Sequence, residues 1–265
     1  TPLITNPTFD NNDKTGWNGT APGFQTFGNA EYYWTTYDIN QTLTGLKNGV
    51  YRVGVTAFYR AGWADLDAEA YTKFLDGDNS SQHAKLYANT TAVAGLTTNL
   101  PLMSSGASET SLTTDELQNT HGYVPNAMKS AAFYMENGQY TPTTLLTIVN
   151  DGTLTIGLKK DTNIDGNWTI FDNWTLHYLG DTDEAYSYMK EDYLSNSVDY
   201  VGFIDETGAY YQKSVYDTYV AAQTALVNAQ TPSDITAAIA AYDSAAKALK
   251  ASLEAYATYY AKYEE

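Results

Sequence analysis

Gln41-Thr-Leu-Thr-Gly-Leu-Lys-Asn-Gly-Val-Tyr-Arg-Val-Gly-Val-Thr-Ala-Phe-Tyr-Arg60 is the stretch whose reading decides the fold. Asn48-Gly49 predicts a hairpin turn, because both residues tolerate the positive φ of a type I′ turn. Beyond it the side chains alternate. Tyr51, Val53, Val55, Ala57 and Tyr59 point one way, and Arg52, Gly54, Thr56, Phe58 and Arg60 the other. A central strand of an antiparallel sheet is expected, its second face partly wet at its start and greasy near its end. The loop that leaves it after Arg60 carries Trp63, Asp65 and Asp67.

Outward from this strand, residues 3–10 read as a short first strand and residues 34–43 as a further extended run. Residues 84–88 read as a strand, and residues 97–117 as a polar loop. Residues 68–75 fit either a short helix or an extended piece. Pro125 opens a short helix over 126–136 that Asn137-Gly138 ends. Residues 144–149 and 154–158 flank Asn150-Asp151-Gly152 and read as a second hairpin. Residues 168–179 read as a last long strand with Trp168, Ile170, Asp172, Trp174, Leu176 and Tyr178 on one face. An aspartate on that apolar face calls for a partner.

At Gly180 the hydrophobic period changes from two to about 3.6. Asp181-Thr-Asp-Glu184 resembles a capping box before a helix to about residue 194. A helix is expected over 209–228, and Thr231-Pro232-Ser233-Asp234 starts another. There Ile235, Ile239, Tyr242, Ala246, Leu249, Leu253, Tyr256 and Tyr260 form a coiled-coil-like seam. The expected architecture is mainly β plus α: a β-rich part over 1–180, then a helical hairpin or three-helix bundle over 181–265. No flexible linker separates them, and both are acidic: 9 basic and 17 acidic residues give −8, 5 and 14 give −9.

Composition excludes several functions. The chain has 265 residues and a formal net charge of −17, with no basic stripe to neutralise phosphates, so nucleic acid is not an expected partner. There is no cysteine, which removes disulfides, thiol catalysis and Cys-based zinc sites. No apolar run reaches the roughly 18 residues of a membrane span. His83, His121 and His177 lack zinc-ligand spacing, and no nucleophile elbow or phosphate-cradling glycine loop is present. Carboxylates are plentiful, but none stands out as half of a glycosidase pair. A surface rich in Thr, Asn and Tyr on a cysteine-free chain suits an exported bacterial protein.

Asn6-Pro7-Thr8-Phe9-Asp10 followed by Gly16-Trp17 resembles the opening of galactose-binding-like β-sandwich modules, which include many carbohydrate-binding modules. Leu46-Lys-Asn-Gly-Val-Tyr-Arg-Val53 resembles one of their hairpins. Tyr123-Val-Pro-Asn-Ala-Met128, Leu154-Thr-Ile-Gly-Leu158 and Trp168-Thr-Ile-Phe-Asp-Asn-Trp-Thr-Leu-His-Tyr-Leu-Gly180 are similar to a version found in exported Bacteroidetes proteins. The resemblance covers about residues 3–180. It implies an antiparallel jelly roll, non-catalytic glycan binding outside the cell or at its surface, and a structural Ca²⁺ at Asp10 and Asp172. An adhesion module that docks a protein through the helices, or an accessory part of a glycan-degrading enzyme, are the alternatives.

For glycan, the candidate residues are Trp63, Arg60, Asp65, Asp67, Trp34 and Tyr33, with Tyr32 adjoining. An indole stacks on the apolar face of a pyranose, while carboxylates and a guanidinium bond its hydroxyls. The same tryptophans also suit core edges, the reading favoured for Trp17, Trp168 and Trp174. Asp172 is either a calcium ligand, hard oxygen for a hard cation, or an acceptor of backbone hydrogen bonds. Asp161-x-Asn163-x-Asp165-Gly166 matches half of an EF-hand loop, yet lies between strands and reads as a polar turn.

Overall fold

The computed structural model describes residues 3–63, 82–106 and 124–264. Asp65, Asp67, His121, Tyr123 and the 68–75 segment lie outside the described residues. Among the described residues ten strands form two antiparallel sheets. The first holds β1 (Asn18–Gly19), β4 (Tyr37–Leu43), β9 (Leu154–Lys160), β6 (Lys85–Asn89) and β7 (Leu96–Asn99), in that order. The second holds β2 (Gly23–Phe24), β3 (Ala30–Tyr33), β10 (Trp168–Gly180), β5 (Gly49–Arg60) and β8 (Thr143–Val149). Setting aside the two-residue strands β1 and β2, the eight long strands counted in chain order run 2-7-4-5 and 1-8-3-6. That winding from sheet to sheet is jelly-roll order.

β5 does alternate: Tyr51, Val53, Val55, Ala57 and Tyr59 line the space between the sheets with Ile39, Leu86, Ile156, Leu158 and Phe171. Its other face is buried twice over, and its start is less wet than expected. Near Gly49 the helical part covers it, since Val50, Leu146 and Ile148 share a core with Met189, Ile235, Ile239 and Tyr242. Arg52 joins that contact, donating to Tyr188 Oη at 2.8 Å. Toward Arg60 the cover is α1 (Met128–Glu136), which packs Met128, Ala131 and Tyr134 on Phe58, Trp168 and Ile170.

Both expected hairpins are corners instead. β4 pairs with β1 and β9, and β5 with β10 and β8, so residues 44–48 cross between sheets. β8 and β9 likewise lie in different sheets. The two corners clasp each other: Leu46 N–H donates to Gly152 O, and Gly152 N–H to Asn48 Oδ1. Gly49 is required by a close approach rather than by a type I′ turn. Its φ is 135°, and a Cβ there would lie 2.5 Å from Gly180 O.

Residues 3–10 do not form a strand but a bent segment, which docks Phe9 into the core and bonds Pro7 O to Trp174 N–H. The 34–43 run is broken at Trp34, and β7 forms where a loop was expected. In β10 the single apolar face is also corrected. The register with β5 shifts between Asp172 and Thr175, and Asn173 takes a φ of 53°, a β-bulge. The extra residue swaps faces: Trp168 and Ile170 face α1, whereas Phe171 and Trp174 face the other sheet. Trp17, Trp168 and Trp174 are all buried.

After Gly180 come α2 (Asp183–Asn196), α3 (Tyr200–Thr207), α4 (Lys213–Asn228) and α5 (Pro232–Glu264). Thr182 caps α2 through Ala185 N–H, and Thr231 Oγ1 accepts from Asp234 N–H at the start of α5. The short α3 is not foreseen in the sequence, though its signals are ordinary. Asp199 accepts from Val201 and Gly202 N–H, and Gly208 ends the helix at a φ of 64°. The seam of α5 buries Ile235, Ile239, Tyr242 and Leu249 against α4 and α2, then emerges with Tyr256 and Tyr260 exposed. Among the described residues no helix is long and apolar enough to cross a membrane.

Candidate functional site

Three loops meet where β3 and β5 end and β10 begins. They are residues 34–36, residues 61–63 and residues 161–167. Trp34 follows β3 with a φ of 49°. A bulky residue is an outlier there, and such strain tends to be kept where a side chain must be aimed. The Trp34 N–H donates to Asn167 O, and its indole Nε1 donates to Asp165 Oδ1 at 3.0 Å. The left-handed turn thus sends the indole across the 161–167 loop instead of along the strand.

Trp63 lies against the same loop. Gly166, at a φ of 71°, forms its bed, and a Cβ there would sit 2.4 Å from Trp63 Cδ2. The Trp34 and Trp63 rings are 5.2 Å apart at 72°, and Tyr33 and Trp63 are 6.3 Å apart at 73°. Tyr33, Trp34 and Trp63 keep 46%, 43% and 41% of their surface exposed. They form an angled corner of aromatic rings open to solvent.

The other candidates are placed differently. Tyr32 is buried between the sheets, stacked on Tyr37 at 4.0 Å with its hydroxyl donating to Thr20 O, so it does not join the corner. Arg60 is buried beneath the rings, not beside them in solvent. Its Nε donates to Gly62 O at 2.9 Å, its Nη1 to Asn126 Oδ1 at 2.7 Å and its Nη2 to Gly166 O at 3.2 Å. The guanidinium also lies 5.2 Å from the centre of the Trp168 ring, whose Nε1 donates to Glu31 Oε2. Burial pushes the Glu31 carboxyl up, opposed by that indole bond and by the Arg60 charge. No sequence motif marks Gly166 or Asp165 as parts of this site. Their role follows from a loop folding back on residues over a hundred positions earlier.

Asp10 sits at a second place, where with Asn12, Phe27, Lys129, Phe133 and Glu136 it lines in part a cavity of about 510 Å³, and Asp172 is near enough to feel the charges of Asp10 and Glu136. Asp172 is half-buried on β10 and accepts from Asn173 N–H at 2.6 Å. Burial pushes its carboxyl up to about 7, and the nearby Asp10 and Glu136 charges push the same way, against the Asn173 bond. Asp10 accepts from Thr8 Oγ1 at 2.6 Å. Among the described residues no three acidic or imidazole groups converge closely enough to hold one ion.

No protein-family model matches the chain, and no curated protein matches it. Solved structures of similar shape include the carbohydrate-binding module TmCBM61 in complex with β-1,4-galactotriose: 11% identity, TM-score 0.39, covering 67% of this chain and 99% of that one. A family 16 carbohydrate-binding module gives 12% identity and a TM-score of 0.35 over 66% and 99% of the two chains. A module from Cellvibrio mixtus lichenase 5A, in complex with cellotriose, gives 10% and 0.32 over 68% and 100%. The sugars named belong to those proteins.

Proposed function

We propose that this protein binds carbohydrate at the corner formed by Tyr33, Trp34 and Trp63, and that it does so outside a bacterial cell or on its surface. The observation that carries the reading is Trp34: a strained backbone holds an indole in the open beside a second one. Packing alone rewards burying such rings, so three left part-exposed in one place favour a ligand with apolar faces and hydroxyl edges. The rings meet at steep angles and offer no plane, which favours a chain end or a bent glycan over a flat polysaccharide surface. Among the described residues the carboxylate at the rim is Asp165, and Arg60 is spent below, which favours a neutral sugar over a uronate.

Titrating neutral oligosaccharides of different linkage against the protein, with Trp63→Ala in parallel, tests this. The parent binds at least one, and loss of the indole weakens it about tenfold or more, as truncated aromatic anchors do. Absence of binding to every neutral glycan removes the reading.

A calcium ion at Asp10 and Asp172 is a second proposal. The Asp10 charge helps push the Asp172 carboxyl up, so Asp172 gains from a cation beside it, and all-oxygen donors suit a hard one. Two carboxylates supply only part of the six to eight oxygens, so carbonyls and water would complete the shell. Calcium should raise the melting temperature of the parent and not that of Asp172→Asn; equal shifts in both argue against this site.

A further inference from the structure

We infer that Arg60 is a positioning residue for the aromatic corner, a role that rests on the carbohydrate-binding reading above. Trp63 is held from two sides, through the backbone that carries it and through the bed it lies on. Both are fixed by the same guanidinium. Nε bonds the carbonyl of Gly62, the residue before Trp63, and Nη2 bonds the carbonyl of Gly166, the residue under the indole. A planar fork can bridge two carbonyls in one fixed geometry, which a lysine ammonium cannot reproduce.

The fork is itself held. Nη1 bonds Asn126 ahead of α1, the guanidinium faces the Trp168 ring, and Trp168 bonds Glu31 on the strand that ends in Tyr33. Glu31 also acts on Arg60 as an opposite charge. One connected set of contacts therefore runs from β3 through β10 and β5 to the backbone on either side of the Trp63 ring. Arg60 touches no ligand in this arrangement. It limits where Trp63 stands relative to Trp34, and so keeps the corner at its angle before a sugar arrives. Pre-organisation of this kind raises affinity by removing an ordering cost from binding.

Arg60→Met and Arg60→Lys test it by two measurements at a temperature where all three proteins are folded. The first is quenching of indole fluorescence by acrylamide without ligand. The second is affinity for the oligosaccharide that binds the parent best. Arg60→Met should raise the quenchable fraction and weaken binding about tenfold or more, and Arg60→Lys should recover only part of either. A role confined to fold stability would lower the melting temperature and leave both readings at parental values, and that result overturns the inference. If the parent binds no glycan, the carbohydrate reading fails on its own account, and the quenching measurement still decides whether Arg60 fixes Trp63.

Discussion

Trp34→Gly should lose the glycan binding proposed above while its stability stays within about 1 kcal/mol of the parent's. At a φ of 49°, an L-residue pays about 1–2 kcal/mol that glycine does not. Against that gain stand the lost contact with the Trp63 ring, worth about 0.5–1.5 kcal/mol, and the greater freedom of glycine in the unfolded chain, about 0.5–1 kcal/mol. The terms nearly cancel. Binding has no such compensation, because removing an aromatic anchor from the centre of a site costs about 2 kcal/mol or more, roughly thirtyfold in affinity. Trp34→Ala separates the two effects: it loses the ring and keeps the strain, so it should be less stable than Trp34→Gly by about 1 kcal/mol. Calorimetry for binding and guanidinium unfolding for stability read both. A glycine variant that binds like the parent would show that the indole is no part of the site.

Gly157→Ala should destabilise the fold by about 3 kcal/mol or more, a large effect for one methyl group. Gly157 sits in β9, paired with Asn40 of β4 and Tyr87 of β6. A Cβ there would lie 2.5 Å from Ile39 O and 2.6 Å from the Tyr87 ring. Neither can retreat cheaply. Ile39 O belongs to a strand paired on both sides, and Tyr87 is tied by its hydroxyl to Asp38 Oδ1. The aromatic ring crosses the glycine and fills the space a side chain would take, as cross-strand aromatics do over sheet glycines. The denaturation midpoint measures the loss. A change under about 0.5 kcal/mol, the range of an ordinary surface substitution, contradicts the placement of β9 between β4 and β6.

That placement is what the amino-acid order conceals. Alternation along residues 49–60 declares a strand and says which residues face inward, because the pleat is a local property. α2, α4 and α5 declare themselves by period, with caps at Thr182 and Thr231, also local. Strand pairing is not local. Asn48-Gly49 and Asn150-Asp151-Gly152 have hairpin chemistry, but their glycines answer to distant partners: Gly180 O crowds Gly49, and Leu46 O lies 3.1 Å from where Gly152 would carry a Cβ. The bulge at Asn173 is equally silent, since one asparagine does not announce a swap of faces. At the candidate site, Tyr33, Trp34 and Trp63 are legible as aromatics near strand ends. That Arg60 lies below them, and that Gly166 and Asp165 complete the corner, depends on where the 161–167 loop lands.

β5 has one end under the helical part and the other under the aromatic corner. Its 12 residues, Gly49–Arg60, reach about 36 Å at the usual rise of a strand. On the carbohydrate reading proposed above, a partner gripping the helices would leave the aromatic corner free, like a lamp on a post. Tethering and capture would then lie at opposite ends of β5, and neither would have to yield for the other to work.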